Sequence, residues 1–435
     1  MKRGYDTYHN SGVEWLADIP GHWGLTRLGM ALSDSVAGGT PNTSADHYWA
    51  ESDEDGMPWV AIGDMSDGGI VDCTEKSVTE AGLMDARLQP LPPGTIVYSM
   101  YASVGAVAVL GITAVTNQAI LGLIPSNDVE SPYLYWWLHA LRSPVSALTR
   151  SNTQANLNAD TVHRFPILVP PLEEQEQIGA YLDRETARID KLITMQESLI
   201  ERLDEYRAAL ITQVVSKGLP PEAAEAMGLD PAPALKDSGV AWLGEVPEHW
   251  AALHLRHICR FAYGDSLTLE DRVQGEIPVY GSNGRVGFHN EANTSAPVIV
   301  VGRKGSHGKV NFELGRAFAI DTTYFVDETC TASDLRWLCY VLMSADLADV
   351  SKDSAVPGLS REDAYAKYLP HPPIAEQKAI AEYLDAQSGR IDTLRSKAEL
   401  SIERLHEYRS AVISAAVTGK IDVRDEALAG VGGGV

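Results

Sequence analysis

The chain has 435 residues, 45% of them hydrophobic and 22% charged. This globular balance excludes a chain disordered throughout and, at roughly 150 residues per domain, a single compact core. Lys and Arg number 35 against 59 Asp and Glu, a formal charge of −24, which excludes a uniformly basic nucleic-acid binder but leaves room for a local basic surface.

In chain order, the first feature is a frame, Ser11-Gly12-Val13-Glu14-Trp15-Leu16-Ala17-Asp18-Ile19-Pro20-Gly21-His22-Trp23. An insert of about 24–165 follows, with short apolar runs at 60–62, 94–98, 106–110 and 119–124 bounded by Gly, Pro and Asn, which predict strands and turns. A helical stretch at 132–148 closes it. Pro170-Pro171-Leu172-Glu173-Glu174-Gln175 then opens a long helix: Pro suits the first turn, and acids favour its positive end. Ile178, Leu182, Glu185, Ile189, Leu192, Gln196, Leu199, Leu203, Tyr206 and Leu210 are spaced alternately by four and three, a seam of period 3.5. The 44 residues from 173 to 216 make a rod of about 66 Å.

After a Pro-rich linker, 218–237, the chain is written again. The frame recurs as Ser238-Gly239-Val240-Ala241-Trp242-Leu243-Gly244-Glu245-Val246-Pro247-Glu248-His249-Trp250, a shift of 227. A second insert, about 251–369, predicts strands at 277–280, 297–301 and 317–320 and a closing helix at 333–348; by eye it does not resemble the first. Pro372-Pro373-Ile374-Ala375-Glu376-Gln377 repeats the helix entrance at a shift of 202, and the seam returns as Ile380, Leu384, Gln387, Ile391, Leu394, Ala398, Ser401, Leu405, Tyr408 and Val412. An amphipathic helix more often packs on its own globular domain, but two copies of one seam favour two long helices that pair with each other, antiparallel because the linker must return the chain. A Gly-rich tail, 423–435, ends the sequence. The repeat is a duplication of whole domains, far too long for a solenoid.

Catalytic patterns are missing. The run 302–310 has one residue too many for a P-loop, and Val310 stands where a hydroxyl would bind magnesium. GxGxxG after a strand, GxSxG and HExxH are absent, and neither Pro-Pro has the flanks of an amino-methyltransferase motif. Cys73, Cys259, Cys330 and Cys339 lack zinc spacing, so no metal is expected; His22 and His249, one per frame, read as structural. The polar start of the chain and the lack of an 18-residue apolar run predict a cytoplasmic protein with no membrane partner.

The duplicated Pro-Pro-x-x-Glu-Gln entrance and the repeated Trp-Leu-x-x-[Ile/Val]-Pro-x-x-Trp frame resemble the specificity subunits of type I restriction-modification systems over nearly the whole chain. So do Gly38-Gly39-Thr40-Pro41, Pro58-Trp59, Pro93-Gly94 and Thr116-Asn117-Gln118 in the first insert. In the second they are Pro278-Val279-Tyr280-Gly281-Ser282-Asn283-Gly284 and Gly302-Arg303-Lys304-Gly305-Ser306. The resemblance implies an α+β protein with a pseudo-two-fold internal repeat. Two mixed α/β target recognition domains, mostly strand and loop, would occupy 1–168 and 238–370, separated by two antiparallel coiled-coil helices at 169–217 and 371–422. It implies a non-catalytic subunit that reads both halves of an asymmetric bipartite site in double-stranded DNA. Two adenine-N6 modification subunits and a restriction/translocase subunit would be its partners. No cofactor is expected on this chain; S-adenosylmethionine and ATP with Mg would sit on those partners.

Candidate DNA contacts follow from residue chemistry. Arg303, Lys304, Ser306 and Lys309 suit phosphate, with Arg also a reader of guanine, or form an ordinary solvated hairpin; Ser282, Asn283 and Arg285 form a second loop, where Asn-Gly is also the commonest hairpin turn. In the first insert the candidates are Ser99, Tyr101, Ser103 and the amides Asn117 and Gln118, which pair with adenine edges or serve as buried hydrogen-bonding residues between strands. The acidic run Glu51, Asp53, Glu54 and Asp55 must point away from phosphate. Three other readings stay open: a DNA-binding scaffold without a methyltransferase partner, a coiled-coil adaptor whose inserts bind protein and whose DNA shift is absent, and an enzyme with an unfamiliar site.

Overall fold

The computed structural model describes residues 4–50, 56–65, 69–101, 103–151, 157–348 and 358–424. The acidic run at 51–55 and all but the first two residues of the tail 423–435 lie outside them. Two compact units form: Met1–Met195 with Ser401–Val435, and Gln196–Leu400. The helices are α1 (Glu80–Asp85), α2 (Ser131–Ser151), α3 (Ala159–His163), α4 (Leu172–Lys217), α5 (Pro221–Ala226), α6 (Leu335–Ser344), α7 (Arg361–Ala366) and α8 (Ile374–Val417). No described helix is long and apolar enough to cross a membrane.

In the first unit a sheet runs in the order Leu32–Ala37, Ile120–Pro125, Ile96–Ser99, Val107–Leu110, Ile70–Val71, antiparallel except for the last pair. A second sheet orders Val115–Thr116, Met57–Val60, Lys76–Val78 and Trp49–Ala50, its first pair parallel. In the second unit the sheets run Ala262–Tyr263, Thr323–Val326, Val298–Gly302, Val310–Glu313, and Phe318–Ala319, Ile277–Gly281, Gly284–His289, again with the Phe318 pair parallel. Apart from one extra edge strand in each sheet of the first unit, Ile70–Val71 and Trp49–Ala50, the order is the same in both, so inserts that look unrelated as sequence share one fold. Gly38 and Gly264 occupy the same crossing in each: a Cβ there would collide with the carbonyl of Asn117 or of Ile320.

The repeated motifs meet each other. In the first unit the Glu174 carboxylate, at the first turn of α4, accepts from Trp23 Nε1 at 2.9 Å and lies 2.6 Å from His22 Nε2. In the second, Glu376 holds Trp250 Nε1 and His249 Nε2, each at 2.7 Å. Tyr5 adds a hydroxyl to Glu174; burial, reinforced by that carboxylate, holds its phenol well above its ordinary pKa and therefore a donor. Gln175, fully buried, accepts from Glu130 N and donates to the carbonyls of Asp128 and Pro170. Gln377 does the same with Asp334 N and Pro372 O. The Glu-Gln pair thus staples each long helix to its frame and to the closing helix of its insert. Removing the amide orphans buried backbone groups, so Gln175→Ala and Gln377→Ala should each cost about 3 kcal/mol, read as a lower urea midpoint. A shift under about 0.5 kcal/mol would mean that water replaces the amide.

The two long helices pair antiparallel. In the first unit Asp190 of α4 meets Arg409 of α8 at 3.0 Å; in the second Asp204 meets Arg395 at 3.3 Å and Asp392 meets Arg207. As the α4 number rises, its α8 partner's falls. Asp190–Arg409 and Asp392–Arg207 join equivalent repeat positions, one pair per unit. These half-exposed pairs fix register more than stability.

Three quarters of the predicted seam is buried or half-buried, including Ala398, which is buried, and Glu185, Gln196, Gln387 and Ser401, which are half-buried. Ile178, Leu182 and Ile189, with Ile380, Leu384 and Ile391, are buried, as is Val412; Leu203, Leu210 and Leu405 are half-buried. Leu192, Leu199, Tyr206, Leu394 and Tyr408 are 39–57% exposed and do not line it. The seam takes the next residue instead: Thr186, Ile193, Ile200 and Arg207 on α4, Arg395, Ile402 and Arg409 on α8. It keeps its 3.5 period, one flank displaced by a residue. The predicted linker 218–237 is also structured: it carries α5 and the strand Leu235–Asp237, which pairs with Glu245–Pro247.

Candidate nucleic-acid interface

In the second unit the loop 303–309 joins the two strands of a central hairpin. Gly308 N returns to Gly302 O, Arg303 N to Thr322 O, and Leu359 N to Arg303 O, so the loop is held on three sides by main chain. The Arg303 guanidinium lies over the rings of Tyr263 at 4.9 Å and Tyr324 at 5.8 Å and donates to Asp321 O. On the same Tyr263 ring rests Arg361, at 5.0 Å. Burial, then the neighbouring Tyr263, pushes the Tyr324 phenol up to about 12, so it remains the neutral donor to Leu359 O.

Lys309 Nζ reaches Asn283 through both its carbonyl and Oδ1, at 2.9 and 3.0 Å, and Ser282 Oγ donates to Thr322 O. Ser282, Asn283, Arg303, Lys304, Ser306 and Lys309, read as two loops, therefore form one surface. Arg285 is exposed two residues on, its guanidinium over Phe288 instead. Tyr263 and Arg361 belong to the surface but gave no signal in sequence, lying some forty and sixty residues from the loop.

The first unit makes the same loop with the same bonds. Gly105 N returns to Ser99 O, Met100 N to Ala119 O, and Leu157 N to Met100 O. These equate Met100 with Arg303, Tyr101 with Lys304, Ser103 with Ser306 and Ala106 with Lys309, so candidates chosen independently in the two inserts occupy one structural position. Tyr101 and Ser103 are exposed. Ser99 is not a surface group: it is fully buried in its strand and its hydroxyl donates to Tyr101 O, which shapes the loop. Asn117 is half-buried, its Oδ1 accepting from Ala119 N in the crossing turn, and Gln118 is exposed beside Thr40, whose hydroxyl it accepts. No group of His, Cys, Asp and Glu among the described residues could hold a metal.

Duplicated readers on paired helices invite comparison with known proteins. The family described as type I restriction modification DNA specificity domain matches residues 32–202 and 247–404, three quarters of the chain and both copies. The chain belongs to this type I specificity family. Each match runs from an insert into a long helix, so the type I specificity domain includes the seam as well as the reader. Curated type I specificity subunits are similar in part. The MjaIX subunit of Methanocaldococcus jannaschii is 26% identical over 171 residues, 38% of either chain. The EcoBI subunit of Escherichia coli is 39% identical over 71 residues, 16% of this chain and 15% of its own. The MjaVIII subunit of M. jannaschii is 21% identical over 348 residues, 73% of this chain and 76% of its own. The chain thus spans well under half the length of the first two. Two solved structures share the fold: a chain from a study of complex assembly and conformational transition in the type I system (TM-score 0.70, 14% identity, 92% of this chain and 98% of that one), and the HsdS subunit of Thermoanaerobacter tengcongensis (TM-score 0.54, 14% identity, 95% and 100%).

Proposed function

We propose that the two inserts, within the target recognition domains 1–168 and 238–370, each bind one half of an asymmetric bipartite duplex site. The observation that carries this reading is the pair of structurally equivalent loops with unlike side chains: one place in the fold, two chemistries, hence two different half-site sequences. Arg303, Lys304, Ser306, Lys309, Ser282, Asn283 and Arg285 serve one half; Tyr101, Ser103, Asn117 and Gln118 serve the other. Spacing between halves follows the geometry of the helices 169–217 and 371–422, as half-site spacing follows protein geometry elsewhere.

Two adenine-N6 modification subunits dock on those helices, and a restriction/translocase subunit joins them; S-adenosylmethionine and ATP with Mg are bound by the partners. Supporting this, the two units expose apolar residues at equivalent repeat positions: Leu192 and Tyr408 in the first, Leu394 and Tyr206 in the second. Equivalent exposed positions suit two copies of one partner. Sequencing the host methylome with and without this gene tests the reading. The expected result is loss of one N6-methyladenine motif with two specific halves around a fixed spacer; an unchanged methylome overturns it.

A further inference from the structure

The two readers hold opposite chemistries at one position. Over 251–369 there are 12 Lys and Arg against 15 Asp and Glu, and over 24–165 there are 6 against 15, so the inserts carry −3 and −9. The difference concentrates at the loop. Arg303 corresponds to Met100, which is buried, and Lys309 to Ala106. Gly264 and Gly38 make the same bond to the strand opposite, to Thr323 O and Ile120 O, which equates Tyr263 with Ala37. Leu359 and Leu157 likewise equate Arg361 with Ala159, each just after a helix cap, Ser360 or Asn158. The Arg303–Tyr263–Arg361 stack of one reader is Met100–Ala37–Ala159 in the other.

Two guanidinium groups on one ring repel, and among the described residues neither forms an ion pair. Arg303 meets Asp321 only at its carbonyl, and the nearby Asp363 takes the hydroxyl of Ser360. Among the described residues Lys304 and Lys309 beside them have no carboxylate either. Such a cluster, in a protein of net charge −24, lowers its energy by taking an anion. Beside the first loop stands Arg142, its stem 3.4 Å from where a Gly105 Cβ would lie, and it has a partner of its own.

Resting on the reading of both inserts as half-site readers, we infer that the grip is unequal: the second reader holds its half-site through backbone phosphates converging on Arg303 and Arg361, while the first reads through neutral contacts. Ionic attraction, and with it salt dependence, belongs to one half of the site. In kinetic terms the second reader captures DNA and the first tests it.

The test uses the full chain with its modification subunits and a duplex of the methylated motif, with uncharged methylphosphonate linkages in one half at a time. Substitution in the second half should weaken binding about tenfold or more and flatten the salt slope by about 0.9 for each phosphate charge removed; in the first half it should cost less than about threefold. Equal losses, or a larger loss from the first half, overturn the inference alone. A motif duplex bound no better than a scrambled one would instead remove the half-site reading beneath it. As a second measurement, Arg303→Ala with Arg361→Ala should at least halve the effect of second-half methylphosphonates, leaving only the share that Lys304 and Lys309 carry; an undiminished effect assigns those phosphates to other residues and overturns the stack's role.

Discussion

Ile189→Asp should destabilise the first unit by about 4 kcal/mol or more, whereas Leu192→Asp, three residues along the same helix, should stay within about 0.5 kcal/mol of the parent. The contrast follows from burial: Ile189 is 2% exposed and packs with Ile193, Leu405 and Val412, while Leu192 is 39% exposed. A carboxylate at 189 loses its water, and the seam arginine of that unit, Arg409, is already paired with Asp190; at 192 it faces solvent. The second unit repeats the experiment with Ile391→Asp and Leu394→Asp, at 4% and 50% exposure. Because a domain is stable by only about 5–15 kcal/mol, each seam variant should lower the urea midpoint steeply or fail to fold. The Leu192 and Leu394 variants should fold normally and lose the modification subunit in a pull-down. Equal destabilisation by the two kinds of variant would return Leu192 and Leu394 to the seam.

That contrast also shows what the sequence could convey. The positions at 182, 189, 196 and 203 were legible because they are apolar or neutral and regularly spaced. Their alternates were read one residue early because Arg207, Arg395 and Arg409, half-buried in the seam, use aliphatic stems for packing and charged heads for cross-helix pairs. A pattern search that rewards apolar residues picks Leu192, Leu199 and Tyr206 instead. The duplicated frame and Pro-Pro motifs were legible as repeats, but only the fold shows Glu174 joining them, since 151 residues separate it from Trp23.

The inserts concealed more. Short apolar runs specify that strands exist, while strand order depends on long-range pairing that tolerates almost any β-branched or aromatic residue. Gly38 and Gly264 are constrained by sterics at the same place in both inserts. The loop 302–309 was legible from its charge. Tyr263 and Arg361 were not, because a cation-π stack has no spacing signature when its members come from distant segments.

Converting Arg303, Lys304 and Lys309 together to Ala, in the assembled methyltransferase, should flatten the slope of log affinity against log salt by nearly three, about 0.9 for each phosphate no longer neutralised. By the same relation affinity near 0.1 M salt should fall by a few hundredfold on every sequence alike, because backbone contacts carry no sequence information. Arg303→Ala alone separates the two roles that its position allows. Its ring stacking and its bond to Asp321 O pre-orient the guanidinium and leave further N–H groups for DNA. If these meet guanine O6 and N7, the variant should lose about 1–3 kcal/mol on the motif only, and methylome sequencing should show one position of the second half relaxed. If they meet phosphate, motif and scrambled duplexes should weaken together. The half proposed for the first insert's loop should keep its sequence in both cases, since that loop belongs to the other insert. Unchanged affinity, salt slope and methylation in the triple variant would make 302–309 a solvated hairpin with no part in recognition.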